Sequence, residues 1–204
     1  LEELRLPYEV KRYERNKETS LAPPELQNIH PLGKSPVITD GKVTVAETGA
    51  IVEYLVEQAG DALRPAAGTP ERHRYTYWLH FAEGSAMPPL VMALVFNRIK
   101  KAPMPFFARP IARAIADNVI DSFIKPNLKR QLAFMESELA QHAWFTGRAF
   151  TAADVMMSFP IEAAASRGAI NARLPNLAAF LERIHERPAY LRALERGGPY
   201  ALLG

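Results

Sequence analysis

The stretch His30–Leu55, HPLGKSPVITDGKVTVAETGAIVEYL, decides how this chain reads. Pro36 stands directly before a short apolar run, Val37–Ile38, which predicts a strand. Asp40-Gly41 predicts the turn, and Val43, Thr44 and Val45 predict the returning strand. Asp-Gly between two such runs is a strong short-range hairpin signal. Glu47-Thr48-Gly49 then opens a segment whose apolar residues recur at Ile51, Val52, Leu55 and Val56, the spacing of an amphipathic helix. A strand pair feeding a helix N-terminus is a good place to hold a carboxylate, because free backbone N–H groups point outward there. Taken locally, a plainer reading also stands: an acidic residue favours a first helical turn, and a hydroxyl residue favours a cap.

The combination is more specific than its parts. Lys34-Ser35-Pro36 ahead of a strand, the hairpin, and Glu47-Thr48-Gly49-Ala50-Ile51 at a helix start together resemble the glutathione transferase family. The resemblance continues through the rest of the chain as a long helical part. It implies the glutathione transferase fold: an α/β N-terminal thioredoxin-like domain plus an all-α C-terminal helical domain. It also implies that Ser35-Pro36 is cis, a geometry found in only ~5% of X-Pro bonds. Ser35 would offer its backbone N–H and C=O to the cysteinyl part of glutathione, in the manner of strand addition. Glu47 matches the acidic residue that pairs with the ligand's ammonium. Thr48 matches the hydroxyl residue that takes the γ-glutamyl carboxylate at the positive end of a helix dipole. Lys34 lies where the family often has a polar residue near the ligand's glycine carboxylate or backbone. The expected glutathione-binding residues are therefore Lys34, Ser35, Pro36, Glu47 and Thr48, with glutathione as co-substrate and no metal.

The chain opens with LEELRLP, which reads as the end of a helix, and Tyr8–Tyr13 (YEVKRY) alternates like a strand. In the family a first strand and most of a first helix precede this point. The Tyr, Ser or Cys that activates the thiol is expected there, before Leu1, so the catalytic residue is unknown from the residues in hand.

Composition narrows the class. Hydrophobic residues make up 48% of the 204, which excludes general disorder. The apolar runs look too short and interrupted to span a bilayer, so no membrane partner is expected. The chain contains no cysteine, hence no disulfide framework and no thiolate metal site. That fits a reducing, cytoplasmic setting. A net charge of +3 without a basic stripe interleaved with aromatics gives no reason to expect nucleic acid.

The chain divides into two expected domains. Residues 1–60 form the thioredoxin-like glutathione-binding part, incomplete at its start, and residues 71–204 the all-helical part. Gly60–Pro70 (GDALRPAAGTP) reads as the linker between them. Pro23-Pro24-Glu25-Leu26 predicts a short helix or turn. Arg72–Ile99 predicts a long helix with aromatics at Tyr75, Tyr77, Trp78 and Phe81, kinked or broken at Pro88-Pro89. After a proline-rich connection, Ile111, Ile115 and Val119, then Leu128, Leu132, Met135 and Leu139 past Pro126, predict the next apolar face. Leu177, Phe180, Leu181 and Ile184 mark another amphipathic helix, and Pro188 opens a last short one. Thr151 and Asp154 have the spacing of a variant capping box and read as structural, with Pro160 bending the helix they start.

The remaining chemistry is thin. His73 and His80 share a helix face but stand ~10 Å apart, too far to ligate one metal. No phosphate-binding loop or nucleophile elbow occurs. The aromatic cluster and Met87 fit either a pocket for an apolar co-substrate or plain core. Lys100, Lys101, Arg109 and Arg113 fit either an anion-attracting patch or a solvated face. The resemblance implies addition of glutathione thiolate to an electrophilic, mostly apolar small molecule, in the service of detoxification. It further implies a homodimer formed by the helix after the hairpin and the long helix after the linker. A glutathione-dependent reductase, peroxidase or isomerase on this scaffold, or a non-catalytic glutathione-binding regulator, remain the alternatives, since fold does not fix function.

Overall fold

A computed structural model describes residues 1–14, 16, 19 and 21–198. Its contacts divide into two compact units. One comprises Leu1–Arg64 together with the segment from Arg187 through the last helix; the other comprises Pro65–Glu186. The expected all-helical stretch, 71–204, therefore loses its final helix to the first unit. The cause lies in the contacts themselves: Arg187 forks onto Glu3 (2.5 and 2.8 Å) and Arg192 reaches Glu2 (2.8 Å).

In the first unit, a 3-10 turn at Glu2–Leu4 ends on Arg5 in the left-handed region. Helix α1 (Pro24–Gln27) follows, with proline in its first turn. Strands β1 (Val37–Asp40) and β2 (Val43–Ala46) form the antiparallel hairpin, and helix α2 spans Thr48–Gln58. Asp40 pairs with Val43, so Gly41 and Lys42 are the two turn residues. The expected turn is thus displaced by one. Only Gly41 of the pair has positive φ (56°), which fits the hairpin turns that need glycine at their first central position. Tyr8–Tyr13, expected as a strand, forms no ladder among the described residues. Alternation can orient side chains, but a strand requires a hydrogen-bonding neighbour, and β1 and β2 pair with each other.

In the second unit, Thr69 caps helix α3 (Pro70–Phe81) by accepting from Arg72 N. A one-turn π segment, Ala82–Ala86, joins α3 to α4 (Met87–Lys101). Pro88-Pro89, expected to kink or break the helix, does not break it: the helix runs on through the π segment. The π turn places both prolines in the first turn of α4, where a missing N–H is tolerated. Pro89 cannot donate to the carbonyl of Ser85, and Gln131 Nε2 donates there instead at 2.9 Å. Pro126 is accommodated alike: α5 (Arg109–Val119) passes through a π turn at Ile120–Ile124 into α6 (Lys125–Gln141).

The continuous helix Pro70–Lys101 is long and apolar enough to cross a membrane by length and composition, contrary to the reading of the apolar runs. Its inner face is nevertheless core: Tyr75, Trp78, Leu79, Ala82, Ala86 and Leu90 are buried, and α3 packs on α7 (Ala152–Ala165). Of the aromatic cluster, Tyr75 and Trp78 belong to that core, Phe81 is half-buried, and Tyr77 is exposed. Trp78 stacks on Phe134 (centroids 5.3 Å apart) and meets Phe145 at 4.5 Å. Helices α8 (Pro175–His185) and α9 (Pro188–Gly197) follow. Leu177, Phe180, Leu181 and Ile184 are all buried as their spacing predicts. Ile111 and Ile115 are not. They face outward, and Ala116, Ile120 and Ile124 carry that side of the core.

Candidate functional site

The hairpin register brings the two halves of the motif together. Val37 pairs with Ala46. Pro36 directly precedes Val37 in the chain, and Glu47 directly follows Ala46. Cα atoms facing each other across such a ladder lie about 4.5–5.5 Å apart. Ser35, Pro36, Glu47 and Thr48 therefore gather at one end of the hairpin although twelve or so positions separate them in sequence. The Ser35-Pro36 peptide bond is cis. Both Ser35 and Lys34 are exposed.

Gly33, which the sequence reading did not single out, sets the loop ahead of Lys34-Ser35. It is buried and has φ 54°. A Cβ there would lie 2.7 Å from Gln27 Cγ on α1. The signal was available as a glycine two residues before Ser35, but a lone glycine in a loop is too common to single out.

Glu47 has an unusual backbone. Its φ of 72° and ψ of 126° fall outside the regions that residues with a Cβ ordinarily adopt. Such strain costs on the order of 1–3 kcal/mol and persists only where the surroundings hold it. Its side chain makes no cap bond to α2 and is exposed. The first intrahelical bond runs from Ile51 N to Glu47 O at 2.9 Å. Thr48, Gly49 and Ala50 thus present the first-turn N–H groups that a helix cannot use internally. This arrangement sets a carboxylate, a hydroxyl and a row of N–H donors side by side, suited to a ligand group carrying both an ammonium and a carboxylate. Tyr54 ties α2 back to the hairpin by donating to Asp40 Oδ2 at 2.8 Å. That bond holds the Tyr54 hydroxyl above its ordinary pKa.

Other candidate groups have structural roles. Asp154 is fully buried. Its Oδ2 accepts from Thr151 N (2.8 Å) and Thr151 Oγ1 (3.0 Å), and its Oδ1 from Phe145 N (2.8 Å). The Thr151–Asp154 capping box is complete. Burial pushes the carboxyl up to about 6, while the three donated bonds pull it down. α7 runs through Pro160. Tyr8 donates to Glu2 Oε1 at 2.9 Å; desolvation first and that bond second raise its pKa, so it stays protonated. Among the described residues no group of three or more His, Cys, Asp or Glu has the arrangement to hold a metal.

The chain is similar to known proteins along most of its length. Residues 1–57 match the family model for the glutathione S-transferase N-terminal domain, and residues 111–183 match that for the C-terminal domain. Glutathione S-transferase 3 of Schizosaccharomyces pombe is 34% identical over 96% of this chain and 80% of its own length. A crystal structure of a glutathione S-transferase from Actinobacillus pleuropneumoniae superposes with a TM-score of 0.73 at 31% identity, covering 96% of this chain and 83% of that one. A glutathione transferase family member from Pseudomonas fluorescens, with two glutathione bound, gives a TM-score of 0.74 at 26% identity, covering 95% of this chain and 84% of that one.

Proposed function

Because the chain belongs to the glutathione S-transferase family, we propose that it is an enzyme joining the thiolate of glutathione to an electrophilic, mostly apolar small molecule. The thiol proton is given up as the thiolate forms, and the sulfur then bonds to the electrophilic carbon as a π bond there opens or a leaving group such as halide departs with its electron pair. What supports the reading at this site is the pairing of Val37 with Ala46, whose chain neighbours are Pro36 and the strained Glu47 at the N-terminus of α2.

In this reading the Glu47 carboxylate pairs with the ammonium of the γ-glutamyl end. The Thr48 hydroxyl and the first-turn N–H groups receive its carboxylate at the positive end of the α2 dipole. The Ser35 main chain, preceding Pro36, hydrogen-bonds the cysteinyl unit and so fixes where the sulfur lies. Lys34 attracts the glycine carboxylate. Residues 1–60 form the glutathione-binding domain, and residues 71–204 supply the helical domain apart from the contacts of α9. Neither Tyr8 nor Tyr13 is assigned as the group that activates the thiol.

The protein acts as a homodimer in detoxification, in the cytoplasm, where thiols are kept reduced. The outward apolar residues Tyr77, Val91 and Val95 on α3 and α4 support self-association. Calorimetric titration with glutathione tests the site directly: wild type binds, and Glu47→Ala binds markedly more weakly. Unchanged affinity in that variant removes Glu47 from the site.

A further inference from the structure

The end of the α4–α5 hairpin is built unlike the rest of its unit. From Val91 to Ile115 no residue is buried. The stretch RIKKAPMPFFARPIAR, Arg98–Arg113, carries five basic residues, and no acidic residue occurs anywhere from Gly84 to Ala116. Phe106 and Phe107 are 82% and 65% exposed, one ring edge-on to the other at 5.7 Å. Ile111 and Ile115, one turn apart on α5, are 62% and 59% exposed. An outward aromatic and aliphatic cluster of this kind marks an interaction surface.

Four of the five cations are available to a partner. Lys100 is held by Asp117 at 2.6 Å. Arg98, Lys101, Arg109 and Arg113 meet no carboxylate within ion-pair distance among the described residues; Arg109 Nε donates only to the Met104 carbonyl at 3.3 Å.

We propose that this hairpin end docks on a membrane surface bearing anionic phospholipid. The charges complement phosphate-rich headgroups, and the two phenylalanines and two isoleucines supply the apolar insertion that charge alone lacks. The long arginine and lysine stems reach headgroup level while their carbons stay against the apolar region. A second copy of the chain is a poorer occupant at a two-fold axis through this patch, where residues meet their own copies and cations would face cations. A single-stranded nucleic acid is also poorer: Phe106 and Phe107 stand edge-on to each other rather than as parallel platforms, and Ile111 and Ile115 offer no stacking face. Docking of this kind is distinct from spanning and needs no transmembrane helix.

Flotation of the full chain with vesicles tests the proposal. Phosphatidylcholine vesicles with a substantial phosphatidylglycerol fraction carry the protein upward at low salt, and pure phosphatidylcholine vesicles do not. Lys101→Gln with Arg113→Gln lowers the partition about 25-fold, at roughly fivefold per charge removed. Phe106→Ser with Phe107→Ser lowers it tenfold or more. Both pairs are exposed, so melting temperature and glutathione affinity stay as in wild type. The proposal is overturned if wild type fails to float with the anionic vesicles, or floats equally with both kinds. It is equally overturned if either double variant binds like wild type. A shift of the phenylalanine variant from dimer to monomer in sedimentation would assign the patch to self-association instead. Displacement from vesicles by a single-stranded oligonucleotide that still binds the phenylalanine variant would assign it to nucleic acid.

Discussion

Glu47 offers a test that separates ligand binding from backbone strain. Glu47→Ala removes the carboxylate but keeps a Cβ at φ 72°, ψ 126°, so the strain remains. Glu47→Gly removes the carboxylate and the strain together, since glycine tolerates positive φ. A residue in such a region costs on the order of 1–3 kcal/mol. Glycine returns part of this, about 0.5–1 kcal/mol, through the greater freedom of its unfolded chain. Glu47→Gly should therefore be more stable than Glu47→Ala in urea unfolding, by up to about 2.5 kcal/mol. Both should lose the charge-assisted contact to the ligand ammonium, about 1–3 kcal/mol. At tenfold per 1.4 kcal/mol, that is a rise in the glutathione Kd of roughly 5- to 150-fold by calorimetry. The pair thus moves oppositely: one variant is stabilised relative to the other while both are impaired in binding. Wild-type affinity in Glu47→Ala would refute the ligand assignment. A Glu47→Gly protein no more stable than Glu47→Ala would refute the strain argument, leaving the ligand assignment to its own measurement.

Further expectations follow from neighbouring contacts. Asp154→Ala orphans three buried donors and should cost about 3–5 kcal/mol in chemical unfolding; a loss below about 1 kcal/mol would contradict the capping role. In wild type the Asp154 carboxyl is raised from 3.8 to about 6 in the folded state, so the native protein holds a proton that the unfolded chain has released. Its contribution to stability should accordingly be fullest below about pH 4 and fall by up to about 3 kcal/mol as pH rises through about 6. Unfolding midpoints across that window should show this slope in wild type and not in Asp154→Asn. Glu136 on α6 accepts from Asn176 N and Leu177 N at 2.9 Å each, and Glu136→Ala should cost about 2 kcal/mol by leaving the start of α8 without a partner, with faster amide exchange in that turn as the check. Tyr8→Phe and Tyr13→Phe should leave conjugation to an aryl halide nearly intact in the steady state; a ~100-fold fall in turnover, ~2.7 kcal/mol, would place the activating hydroxyl in this segment.

The sequence by itself determined the features that few residues specify. The Lys34-Ser35-Pro36 and Glu47-Thr48 pair was legible because a hairpin joins its halves and turn chemistry marks the hairpin. Thr151 and Asp154 were legible because a capping box closes within one helical turn, and Leu177 to Ile184 because their spacing is the helix period. Tertiary structure decided whatever needed a remote partner. Tyr8–Tyr13 alternates like a strand but has no ladder alongside it among the described residues. The prolines at 88 and 89 read as a kink or a break, and the helix does not break because a π turn precedes them and Gln131, more than forty positions away, fills the Ser85 carbonyl. Ile111 and Ile115 have core spacing and face outward, because the packing of α5 on α4 buries the side that carries Ala116 instead. Helix α9 joins the first unit through Arg187 and Arg192, whose carboxylate partners lie about 190 residues earlier. Nor could periodicity show the backbone of Glu47, where the chain must turn from β2 into α2 within a single residue. Local pattern encodes which side chains share a face; which face is covered, and by what, is settled only when distant segments pack.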